Sequence, residues 1–82
     1  MNDRNSIFTK VQQIVADANG LDVDEIELQS DLRDDLGLDS LDIVELTANL
    51  EKEFNLRAIS DSEVATFYTV EDLVDFIQEQ EK

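Results

Sequence analysis

With 21 acidic side chains against six basic ones among 82 residues, the chain has a formal net charge of −15, which repels phosphate backbones and favours basic protein partners over nucleic acid. It has neither His nor Cys, which removes imidazole bases, thiolate nucleophiles, disulfides and the usual zinc ligands. A chain this short supports one modest core rather than a deep catalytic cavity, so a binding or carrying role suits it better than catalysis.

There is no proline, no low-complexity tract and no internal repeat, and residues 1–82 read as a single domain. No basic segment leads into an apolar run of the signal-peptide kind, and no apolar stretch is long enough to cross a bilayer. A cytoplasmic protein without membrane insertion is therefore expected.

The first predicted element is an amphipathic helix ending near Gly20, a C-cap candidate. Ile7, Val11, Ile14 and Ala18 fall within roughly 60° of one another on a helical wheel, and Phe8 and Val15 widen the stripe. Residues 21–38 show no sustained helical period. Leu21, Val23, Ile26, Leu28, Leu32, Leu36 and Leu38 are instead spaced like tethers, which predicts a long ordered loop held to the core.

A second long helix is predicted from Asp39, an N-cap candidate with Asp42 three residues on, to about Phe54. Ile43, Leu46, Leu50 and Phe54 lie within roughly 80° of arc and form its core face. On nearly the opposite side, Leu41, Val44 and Ala48 make a second apolar strip bordered mainly by acids. That strip either packs under the long loop or serves as a docking surface. Between residues 34 and 53 seven acids face a single base, Lys52, so a partner bearing Arg and Lys would be steered here.

Ser60 with Glu63 has the pattern of a capping box opening a short third helix that carries Val64, Phe67 and Tyr68. Thr69 with Asp72 repeats the device before a last helix presenting Val70, Leu73, Val74 and Ile77 on one stripe. The polar tail 78–82 is expected to fray. The fold class these elements predict is all-α.

Among the side chains with chemistry, Ser40 stands out because it occupies the first turn of the second helix. There, exposed amides and the positive end of the helix dipole favour an attached phosphate. A serine beside Asp at a helix start is more commonly a plain capping or solvent-facing residue, and position alone leaves both readings open.

The stretch Asp35-Leu36-Gly37-Leu38-Asp39-Ser40-Leu41-Asp42-Ile43-Val44-Glu45-Leu46 resembles the attachment motif of acyl carrier proteins, particularly the free-standing bacterial fatty-acid type. The resemblance extends over nearly the whole chain: amphipathic first helix, long loop, Asp-Ser-Leu helix ending in Glu51-Lys52-Glu53-Phe54, short third helix, and a fourth opening at Thr69-Val70. It implies a small four-helix bundle. Ser40 would be the residue to which a phosphopantetheinyl transferase attaches 4′-phosphopantetheine from coenzyme A, and the chain itself would catalyse nothing.

The arm ends in a thiol, and that would let a cysteine-free chain carry acyl intermediates as thioesters to fatty-acid synthesis and acyltransferase enzymes with basic docking patches. By the same resemblance, Asp39, Leu41, Asp42, Val44, Glu45, Ala48 and Glu51 match the surface that partner enzymes read, in agreement with the wheel. The acyl chain would slip between the helices along Ile43, Leu46, Leu50, Ile59 and Val64. Burial there contributes up to about 0.8 kcal/mol per methylene.

Lys52, the missing proline before the third helix and a segment 55–60 about one residue longer depart from the common bacterial pattern and bear on which synthase partners are shared. Leu41 and the Asp35-Leu36-Gly37 approach favour an acyl carrier over D-alanyl or peptidyl carriers, while a polyketide or special-lipid carrier shares these features. The competing class is an unmodified acidic helical module for protein interaction or nucleic-acid mimicry. Calcium binding is disfavoured because neither Asp22-Val23-Asp24-Glu25 nor residues 31–35 follow EF-hand spacing. Mutual repulsion at this charge favours a monomer at low salt.

Overall fold

The structure, a computed structural model, describes residues 3–80. Four helices follow in order, α1 (Arg4–Asn19), α2 (Ser40–Phe54), α3 (Asp61–Val64) and α4 (Val70–Gln80), with a 3-10 turn at Val23–Glu25 in the long loop. Helix α1 packs on both α2 and α4, and the short α3 leans on α2. Among the described residues no helix is long and apolar enough to span a membrane.

Each helix end has a local cause. Asp3 caps α1 by accepting from the Ser6 amide at 2.8 Å, and these contacts hold its carboxyl below the usual aspartate range. Gly20 closes the same helix in the left-handed region at φ 66°, where a Cβ would be strained. Asn55 does so for α2 at φ 54°, a conformation Asn tolerates better than most residues.

The core is a single cluster. Ile7, Val11 and Val15 of α1 meet Ile43, Leu46 and Leu50 of α2 and Val70, Leu73, Val74 and Ile77 of α4, all essentially without solvent contact. The expected core face of α2 and the stripe of α4 are both found as read. On α1 the stripe turns one step: Ala16 is buried, Ala18 is exposed and Ile14 only half-buried, because α1 is wedged between two helices and Val15 rather than Ile14 faces the wedge.

The loop is ordered and tethered by Ile26, Leu32, Leu36 and Leu38, which are buried, with Leu21 and Leu28 half-buried. Val23 is not a tether. It is exposed in the 3-10 turn, which is held through its carbonyls instead: Gln12 Nε2 donates to Val23 O at 3.1 Å and Ile26 O at 2.7 Å. Farther on, the loop docks on the head of α4. Leu32 N donates to Tyr68 O at 2.8 Å, Val70 N to Ser30 O at 3.2 Å and Glu71 N to Leu28 O at 2.8 Å. Two first-turn amides of α4, which lack acceptors inside their own helix, are thus satisfied by the loop.

Two further expectations change. Helix α3 stops at Val64, so Phe67 and Tyr68 lie beyond it; Phe67 is buried, but Tyr68 is 63% exposed. Residues 78–80 are helical, with Gln78 half-buried and accepting from Arg4 Nη1 at 3.1 Å, so the tail does not fray there; residues 81–82 lie outside the described part.

Candidate functional site

The site begins in a tight turn of the loop. Amides of Asp35 and Leu36 donate to Asp31 O, Gly37 N to Arg33 O and Leu38 N to Leu32 O, at 2.9 to 3.1 Å. The turn closes through Gly37 at φ 72° and buries Leu36 and Leu38 on either side of it. Asp39 is thereby delivered to the N-cap of α2 with an extended backbone. Its Oδ1 accepts from the Asp42 amide at 2.9 Å and its own amide donates to Asp42 Oδ2 at 3.1 Å, a reciprocal capping box.

With Asp39 as the cap, Ser40 is left as the first helical residue, exposed and relieved of any capping duty. The amides of Ser40 and Leu41 belong to the first turn and have no carbonyl acceptor within the helix. Among the described residues the nearest cation is Arg33, whose Nη1 and Nη2 both lie 3.4 Å from Ser40 Oγ. Beside this pair a groove of about 260 Å³ runs between the head of α2 and α3, bordered by Arg33, Ser40, Val44, Asp61, Val64 and Ala65.

The outward strip of α2 is uncovered: Leu41 is 66% and Val44 47% exposed, with Ala48 and Glu45 exposed beside them. Packing under the loop is ruled out for these residues. Asp39 is exposed as well, but its carboxylate is committed to the cap. Asp42 and Glu51 are half-buried and committed too, Asp42 to the capping box and Glu51 through Oε2 to the Ile59 amide at 2.8 Å.

Of the five residues expected along an acyl path, Ile43, Leu46 and Leu50 are packed shut in the core. Ile59 and Val64 are half-buried, and Val64 alone among the five borders the groove beside Ser40. Sequence reasoning missed two residues. Arg33 reaches Ser40 across seven positions of folded loop, a closeness no periodicity reports. Thr47 is buried within α2, its hydroxyl donating to Val44 O at 2.8 Å.

An exposed hydroxyl flanked by amides, a guanidinium and a shallow groove suits a phosphate-linked group at Ser40. In comparison with known proteins, residues 9–77 match the family model described as "Phosphopantetheine attachment site". Over 72 residues the chain is 46% identical to an acyl carrier protein of Clostridium acetobutylicum, covering 88% of this chain and 92% of that one. The chain belongs to the acyl carrier protein family.

An acyl carrier protein of Rubrobacter xylanophilus is 42% identical over 79 residues, which is 96% of each chain. Among solved structures, the apo doublet acyl carrier protein from prodigiosin biosynthesis superposes with a TM-score of 0.80 at 27% identity, over 93% of this chain and 36% of that longer one. Acyl carrier proteins are carriers rather than enzymes. They work with synthase and transferase enzymes through covalently attached 4′-phosphopantetheine. In this carrier the arm supplies the thiol that a cysteine-free sequence lacks.

Proposed function

We propose that this carrier is a single acyl-carrier domain of the fatty-acid-synthesis type, cytoplasmic and monomeric, holding acyl groups on a 4′-phosphopantetheine arm attached to Ser40. The observation that carries this reading is the exposed Ser40 hydroxyl on the first turn of α2, next to Arg33 and at the edge of an uncovered apolar strip. Asp39, Leu41, Asp42, Val44, Glu45, Ala48 and Glu51 form the surface read by the phosphopantetheinyl transferase and by basic patches on fatty-acid synthesis and acyltransferase enzymes. Apolar contact at Leu41 and Val44 gives that encounter its grip, and the net charge of −15 gives it steering.

The acyl chain enters between α2 and α3 past Val64 and Ile59, toward Ile43, Leu46 and Leu50. Support for this path comes from the groove beside Ser40 and from the smallness of α3, whose four residues are cheap to displace. Acylation that left the melting temperature unchanged would contradict it.

The attachment is tested by incubating the purified chain with coenzyme A and a broad-specificity phosphopantetheinyl transferase and comparing intact masses of wild type and Ser40→Ala. One phosphopantetheine addition that vanishes in Ser40→Ala is the expected outcome. A folded wild type that gains no mass would instead favour the unmodified interaction module. A dedicated carrier for a specialised product is the second reading, favoured by the likeness to the prodigiosin doublet and by Lys52 on an otherwise acidic helix. Elongation of the loaded chain by purified fatty-acid synthesis enzymes supports the first reading, and refusal by them the second.

A further inference from the structure

Arg33 is the one cation of the turn that precedes α2, and its neighbours in sequence are Asp31, Asp34, Asp35 and Asp39. An exposed guanidinium in such company ordinarily forks onto a carboxylate. Here three of the four carboxylates are taken by main-chain amides. Asp31 Oδ1 accepts from Arg33 and Asp34 at 2.9 and 2.8 Å, Asp35 Oδ2 from Asp31 at 2.7 Å, and Asp39 Oδ1 from Asp42 at 2.9 Å. Among the described residues Arg4, Lys10 and Arg57 each pair with an acid, whereas Arg33 and Lys52 form no ion pair; of these two, Arg33 turns both Nη atoms onto Ser40 Oγ.

A neutral hydroxyl is a poor reason to hold a guanidinium in place, and the two contacts at 3.4 Å are correspondingly loose. A phosphodiester on the same oxygen changes the balance. Its non-bridging oxygens lie two bonds beyond Oγ, through phosphorus, within reach of both Nη atoms, and their geometry matches the planar fork. The anion would otherwise sit in the field of a chain at −15, with Asp61 on the opposite side of the groove.

We propose that Arg33 is a positioning residue: its guanidinium holds the phosphodiester at Ser40 and so sets the direction in which the arm leaves, along the groove bordered by Val44, Asp61, Val64 and Ala65. This rests on the reading of Ser40 as the attachment point. Arg33 holds the first link of the arm against the protein, and the remainder of the arm stays free to swing.

Wild type, Arg33→Gln and Arg33→Lys are loaded with coenzyme A and excess transferase and checked by intact mass. Their phosphorus NMR resonances are then compared in the folded and urea-denatured states at low salt. In folded wild type the resonance is displaced from its denatured position. In Arg33→Gln that displacement is lost, and in Arg33→Lys part of it returns. The Arg33 Nε–H resonance of wild type also moves on attachment. Equal displacement in wild type and folded Arg33→Gln would overturn the role of Arg33 and leave the attachment at Ser40 standing. A wild-type chain that gains no mass, or a Ser40→Ala chain that gains it, overturns the reading of Ser40 and this proposal with it. Arg33 is exposed and outside the core, so the Gln variant keeps its fold, which far-UV circular dichroism checks.

Discussion

Asp39 and Ser40 divide the head of α2 between them: the acid satisfies the helix and the hydroxyl is left exposed, outside the cap. Asp39→Ala removes the accepting oxygen and is expected to lower stability by about 1 kcal/mol in urea titration, while Asp39→Asn retains most of the cap. A sharper contrast lies along α2 itself. Leu41→Ala and Val44→Ala are expected to change stability by less than about 0.5 kcal/mol, since both side chains already face water. Leu50→Ala, inside the core, costs about 2–5 kcal/mol. The two exposed variants should instead slow loading by the transferase at unchanged melting temperature. Asp39, Ser40, Leu41 and Val44 were legible in the sequence because cap, first turn and outward face follow from spacing within one helix. Arg33 was not, since its place at Ser40 depends on how the preceding turn closes.

At the level of elements, all four expected helices are present, and the core faces of α2 and α4 follow their apolar stripes. On α1 only the buried face differs, because packing between two helices chooses among neighbours, Ala16 over Ala18. Helix α3 is the extreme case. It buries no side chain fully and is held by the Ser60–Glu63 capping box and by Arg57, which bonds Glu63 at 3.1 Å and lies over the Phe76 ring. The Ser60 amide first, and Arg57 second, hold the Glu63 carboxyl below the usual glutamate range. Folding therefore favours ionised Glu63. Its contribution is complete above the ordinary glutamate range and is lost as pH falls through the lowered value. Acidification is expected to lower amide protection, taken relative to the intrinsic exchange rate at each pH, in Asp61–Val64 before the core amides of α1 and α4 respond, and Glu63→Gln should remove that pH dependence at α3. In the turn before α2, Gly37→Ala meets no side chain or backbone, so its expected cost of about 1–2 kcal/mol in urea titration is that of the left-handed backbone alone.

For the molecule as a whole, a charge of −15 acts in opposite directions on folding and on encounter. Raising ionic strength from about 0.01 to about 0.15 M shortens the screening length from about 30 to about 8 Å. The melting temperature should rise as self-repulsion fades, while the association rate with a basic partner falls. A melting temperature that dropped over the same interval would mean that the ion pairs of Arg4 with Asp75 and Glu71 outweigh repulsion. The main-chain bonds between the loop and the head of α4 have a consequence for how the fold comes apart. Leu32 N, Val70 N and Glu71 N bind across that junction, and Arg33 follows Leu32 directly, so the platform beneath Ser40 shares its fate with the chain's last helix. Fluctuations that open α4 will loosen the ground under the serine, whereas α3 lies outside this joint and can come and go while the serine stays put. The fold thus has one hinged wall, α3, and one post tied to α4, and Ser40 stands on the post.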